Sequence, residues 1–164
     1  MNVFEFAMQM ETDGKAYYEE NAARVDDPGL KKILMELADD EQKHYNLFKA
    51  LRDGADASYE ATGETKILTS VKNVFQTMKD KNQTFAFADE AKKIWAEAQL
   101  VEKKSEEFYR EKAKEVGDDN QKNILNKIAD EEHKHWVTLE SVIQFLKRPE
   151  QWLEDAEWNH IEDY

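Results

Sequence analysis

Cysteine is missing altogether from the 164-residue chain. Its absence removes disulfides, thiolate metal ligands, thiol nucleophiles, cysteine-ligated iron–sulfur clusters and rubredoxin-type iron centres. Proline occurs twice and glycine five times, so little interrupts a helical reading. Basic residues are also scarce, 23 against 36 acidic ones, for a formal net charge of −13. That balance argues against a nucleic-acid or anionic-membrane partner. No run of about 18 apolar residues occurs and no basic flank opens the N-terminus. Neither a membrane span nor a signal peptide is indicated, and a soluble cytoplasmic protein is the expectation. No nucleophile elbow, phosphate loop or dinucleotide fingerprint is present.

What is present is helical periodicity. One apolar stripe carries Phe4, Ala7, Met8, Glu11, Gly14, Tyr18, Ala22 and Val25; a second carries Leu30, Ile33, Leu34, Leu37, Glu41, His44, Phe48 and Leu51. Between them Asp27 can cap, and Pro28 can start, the second helix. A third helix is predicted from about Ala86 to Val116, ended by "GDDN" at Gly117–Asn120, and a fourth runs on to about Lys147. The stretch Gly54–Phe85 reads as a long connection: irregular through "GADASYEATGETK", with room for a short helix in "ILTSVKNVFQTMKD". After Pro149 the aromatic spacing of "EQWLEDAEWNHIEDY" predicts a short amphipathic helix that caps the bundle or a partner subunit. The expectation is an all-α four-helix domain over 1–148 with one long crossover, and a tail over 149–164.

The chain also repeats itself. "ADDEQKHY" at Ala38–Tyr45 returns as "ADEEHKHW" at Ala129–Trp136, and an offset of 91 residues superposes Met10–Leu51 on Val101–Val142 without a gap. Fourteen of the 42 positions are identical, among them Glu11/Glu102, Tyr18/Tyr109, Glu41/Glu132 and His44/His135. This is a duplicated helical hairpin. Positions i and i+3 share a helix face, so Glu41 with His44, and Glu132 with His135, point the same way. Glu11 and Glu41 each lie about 15 residues from the turn near Asp26, hence roughly 22 Å along their helices. Glu102 and Glu132 bracket the Gly117 turn alike, which brings all six residues to one level of a bundle.

Four inward glutamates are costly unless something neutralises them, and two cations would do so. A Glu from each of two helices, with a Glu-x-x-His pair from each of the other two, is a two-metal arrangement of helix bundles. Carboxylate and imidazole donors suit iron, or manganese as the near neighbour. The second ring nitrogen of each His needs an acceptor, for which Asp39, Asp40 and Asp130 are nearby. Tyr18 and Tyr109 lie two turns beyond Glu11 and Glu102. They can donate hydrogen bonds near the site or carry electrons, and equally they can fill the core. His133 is offset to face away, and the third Glu-x-x-His, Glu157/His160, has no partner helix bearing an inward Glu.

The pattern "METDGKAYYEE…ELADDEQKHY…VEKKSEEFY…IADEEHKHW" resembles the rubrerythrin family of the ferritin-like superfamily, over roughly Phe4–Leu146. The resemblance implies a ferritin-like bundle with a non-haem di-iron centre held by Glu11, Glu41, His44, Glu102, Glu132 and His135. It further implies a homodimer or larger homo-oligomer that reduces hydrogen peroxide to water. Rubrerythrin itself also carries a four-cysteine rubredoxin-like domain, which this chain cannot form, so a separate donor such as a rubredoxin-like protein must supply electrons. Rubrerythrin has an additional glutamate ligand on its third helix; Gln99 does not supply it, while Glu106 stands at a plausible helical offset. The near-symmetric set is also similar to bacterioferritin-type centres, which implies iron oxidation by peroxide or oxygen as the alternative. A third reading is a metal-free helical protein whose Trp152, Trp158 and Tyr164 dock on partners.

Overall fold

The computed structural model describes residues 2–82, 84–155 and 157–163. Four long helices dominate: α1 (Val3–Ala22), α2 (Pro28–Arg52), α5 (Asp89–Glu115) and α6 (Asp119–Lys147). Asp27 caps α2 by accepting from the Leu30 amide at 2.9 Å, with Pro28 in the first turn. Its repeat counterpart Asp118 caps α6 through the Gln121 amide at 2.9 Å. The helices of each hairpin, α1 with α2 and α5 with α6, lie close together, and the two hairpins face one another at wider spacing. The result is a ferritin-like bundle whose crossover runs from α2 to α5.

The crossover is more ordered than its composition suggests. Within "GADASYEATGETK" a single turn, α3 (Tyr59–Thr62), forms because the Ser58 hydroxyl accepts from the Ala61 amide at 3.2 Å. α4 (Ile67–Lys81) follows and buries Ile67, Leu68, Val71, Val74, Phe75 and Met78. The third long helix starts at Asp89 rather than near Ala86. Phe85 and Phe87 stay outside any helix, stacked on one another at 6.0 Å and edge-on to Phe145 at 5.2 and 5.6 Å. Residues two apart diverge on a helix, so a helix there would not let both rings meet Phe145.

The tail carries the expected short C-terminal helix and continues beyond it. It divides into α7 (Pro149–Glu154) and a 3₁₀ segment (Glu157–Asp163). Trp152 and Trp158 are buried, with ring centroids 5.7 and 6.1 Å from that of Phe75. These two tryptophans therefore cap their own bundle and are not free to dock on a partner. Tyr164 and the Glu157 side chain lie outside the described residues, so the Glu157/His160 pair does too.

The buried apolar residues form two clusters separated along the bundle. One holds Tyr18, Ile33, Leu37, Trp95, Leu139 and Phe145 with α4 and the tail. The other holds Phe4, Met8, Phe48, Tyr109, Ile124 and Ile128. In every long helix the polar positions 11, 41, 102 and 132 fall between residues of these two clusters. Phe75 ties α4, α6 and the tail together. Phe75→Ala should lower stability by about 3–5 kcal/mol and expose Trp152 and Trp158, read by denaturant titration with tryptophan emission.

Candidate metal centre

The level between the two clusters holds six buried ionisable side chains. Glu11, Glu41, Glu102 and Glu132 are 1–4% exposed, and His44 and His135 at most 1%. Glu41 and His44 come from one face of α2, Glu132 and His135 from the matching face of α6, and Glu11 and Glu102 from α1 and α5. Their ligand atoms fall into two groups, Glu11–Glu41–His44–Glu132 and Glu41–Glu102–Glu132–His135, each with all atoms within 4.8 Å of one another. Glu41 and Glu132 belong to both groups. His44 Nδ1 is 3.0 Å from Glu132 and 3.4 Å from Glu11. His135 Nδ1 stands 3.3 Å from both Glu41 and Glu102.

The donors are poorly satisfied by one another. Glu11 Oε2, Glu41 Oε1, Glu102 Oε2, Glu132 Oε1 and His44 Nδ1 are buried without a hydrogen-bond partner in sound geometry. Buried polar atoms are normally paired, so five orphans at one level fit cations placed among them. Carboxylate oxygens and imidazole nitrogens are also the donor types that such ions take. Gly14 contributes space: a Cβ there would stand 3.1 Å from Glu41 Oε2.

A surrounding layer holds the donors crosswise between the repeats. The Tyr18 hydroxyl donates to Glu102, and that of Tyr109 to Glu11 at 2.7 Å. His135 Nε2 reaches Asp40 at 2.9 Å, and His44 Nε2 reaches Glu131 at 2.8 Å. Of the three aspartates near in sequence, Asp40 serves the histidine of the other hairpin. Asp39 is exposed, and Asp130 pairs with Arg110 at 3.0 Å. Glu131 escaped sequence reasoning although it is the counterpart of Asp40 at the 91-residue offset. The repeat was the signal, and the Asp/Glu difference hid it.

Glu106 is buried, but it accepts from Arg110 Nε at 2.9 Å and meets His133 Nδ1 at 3.2 Å, and it belongs to neither donor group. Gln99 donates to Glu140 at 2.8 Å. His133 is about half exposed and stacks on Trp136 at 6.0 Å. A largely apolar cavity of about 370 Å³ opens between α1 and α5. Asp13 and Lys104 stand at its mouth, Gly14, Ala98 and Ser105 line it, and Glu41, Glu102 and Glu132 border its inner end.

Burial, reinforced by the neighbouring glutamates, holds the Glu41 and Glu132 carboxyls well above the usual 4.5. Burial pulls the histidines down, but Glu11 at His44 and Glu102 at His135 outweigh it and carry both well above 6.5. Burial is likewise outweighed at Asp40, by His135, and at Glu131, by His44, and both carboxyls are held low. The metal-free native state therefore binds more protons than the unfolded chain at Glu41 and Glu132 above pH 4.5, and at the histidines above pH 6.5. Stability from these groups is lost as pH rises. The contribution of Asp40 and Glu131 is lost only as pH falls below their ordinary carboxyl range. Chelator-treated protein should accordingly melt at lower temperature at about pH 8 than at about pH 5. Metal binding displaces those protons, so metal-loaded protein should show a flat or rising trend. A metal-free melting temperature that climbs over this range would contradict the assigned protonation.

Among the described residues no helix is long and apolar enough to cross a membrane. No curated protein and no solved structure matches the chain. The rubrerythrin family model does match, over residues 2–143 of the 164, and so spans both hairpins and the crossover. The chain belongs to the rubrerythrin family.

Proposed function

We propose that this protein is a cytoplasmic di-iron peroxidase that reduces hydrogen peroxide to water with electrons from a separate carrier. The observation that carries the reading is the pair of four-residue donor groups sharing Glu41 and Glu132. Glu11 and His44 would help hold one iron and Glu102 and His135 the other, with Glu41 and Glu132 common to both donor groups. Bound iron would supply the electron pair for cleaving the peroxide O–O bond, with two protons taken up: H₂O₂ + 2 e⁻ + 2 H⁺ → 2 H₂O. The Tyr18 and Tyr109 hydroxyls keep the Glu102 and Glu11 carboxylates oriented toward the centre. The cavity between α1 and α5 is apolar along much of its wall and suits a small uncharged oxidant.

With no cysteine, the chain has no rubredoxin-type iron of its own, and a rubredoxin-like protein is the proposed donor. Exposed Phe6, Leu100 and Val101 on α1 and α5 supply apolar surface for the homodimer or larger assembly that belongs to this reading. Manganese fits the same donors, and the chemistry assigned here requires iron.

One observation favours a second reading, a ferroxidase. Glu106 is engaged by Arg110 and His133, which leaves a near-symmetric set of four glutamates and two histidines. A net charge of −13 would also draw ferrous ions toward the protein. Anaerobic ferrous-loaded protein, mixed with peroxide and separately with oxygen in a stopped-flow instrument, distinguishes the two. Oxidation much faster with peroxide is the expected outcome; efficient use of oxygen with mineral growth would select the ferroxidase. The loaded protein should contain about two irons per chain. Glu41→Ala and Glu132→Ala should each lose most of that iron while keeping helical circular dichroism.

A further inference from the structure

The two repeats give the centre two matching halves, but the crossover between them exists only once. Its segment Tyr59–Thr65 lies against the carboxylates behind the histidines. Glu131 accepts from the Tyr59 hydroxyl and from the Thr65 amide at 3.2 Å, in addition to its contact with His44 Nε2. Asp40 accepts from the Thr65 hydroxyl beside its contact with His135 Nε2. The carboxylate behind His44 thus has three donors and the one behind His135 has two. In each imidazole Nδ1 faces the donor groups, so Nε2 carries the hydrogen that these carboxylates accept.

We propose that Tyr59 is a positioning residue that makes the two metal positions electronically unequal, acting through Glu131 on His44. The inference rests on the metal-centre reading above and adds what neither the repeat nor the ligand set contains. Each further donor on a carboxylate takes up part of its negative charge. Glu131 therefore pulls less on the His44 N–H than Asp40 pulls on that of His135. His44 becomes the weaker donor at Nδ1, and the position it serves is the one more easily kept reduced. Tyr59 suits the task because its ring is nine-tenths buried in the apolar cluster with Phe48 and Ile124, which fixes the hydroxyl on Glu131.

Cobalt(II) is the probe, because imidazole N–H protons of its ligands are shifted far outside the ordinary proton spectrum and exchange in D₂O. Wild-type chain titrated with cobalt(II) should bind two ions and show two separate exchangeable signals. In Tyr59→Phe, which keeps the ring and removes the hydroxyl, one of the two should move and the other stay. Thr65→Ser keeps both the hydroxyl and the amide and should leave both in place. If the Tyr59→Phe protein binds two cobalt ions with native circular dichroism and neither signal moves, or both move equally, the inference is overturned. If wild type binds fewer than two, the metal-centre reading falls and the inference with it. The two failures are thereby distinguished.

Discussion

Four buried carboxylates at one level of the bundle are the constraint on which the rest of the structure depends. Keeping all four ionised would cost several kcal/mol per charge and set the glutamates against one another, and Glu41 and Glu132 accordingly hold their protons well above the usual carboxyl range. Two imidazoles offset only part of that cost, as the five orphaned atoms show. The apolar clusters on either side supply the remainder: Phe48, Tyr109 and Ile124 below the level, Trp95, Leu139 and Phe145 above it, hold the helices in register across the polar layer. Cations placed among these donors would relieve that cost and so couple folding to metal.

The hydrogen bonds around the donors cross between hairpins. Tyr18 of α1 serves Glu102 of α5, and Tyr109 of α5 serves Glu11 of α1. Asp40 of α2 serves His135, and Glu131 of α6 serves His44. A single hairpin would hold a Glu, a Glu-x-x-His pair, a tyrosine and a carboxylate, with each of the outer partners aimed at a ligand it does not possess. The duplication is therefore interdependent as a pair. Each half aligns the donors of the other, and the Coulombic cost of bringing them together falls on a structure in which neither half can relax alone.

Much of this was legible in the residues because it depends on period and offset. The stripes placed Glu11, Glu41, His44, Glu102, Glu132 and His135 inward, and equal distances from two turns placed them at one height. Asp27 and Asp118 are local caps and read locally. What escaped depends on long-range contact. Glu131 sits beside Glu132 in an acidic run, and only its meeting with a histidine 87 positions away gives it a role. Phe85 and Phe87 lie outside the helix, where both meet Phe145, and the tail runs on past its short helix so that both tryptophans reach Phe75. Periodicity carries no information about such distant acceptors, and tertiary burial overrides it.

The crossover exposes the limit of the symmetry argument. An offset of 91 residues makes Asp40 and Glu131 equivalent, and by itself would make the two metal positions equivalent as well. A chain that joins two copies in series must contain one connection that the pseudo-symmetry does not repeat. Here that connection passes over the histidine side of the centre, with Tyr59 and the Thr65 amide on one carboxylate and the Thr65 hydroxyl on the other. A duplicated bundle can thus surround its two matching donor groups unequally without any change in the donors themselves. The asymmetry lies in the linker, and substitutions there can tune the centre while the six donors stay as they are.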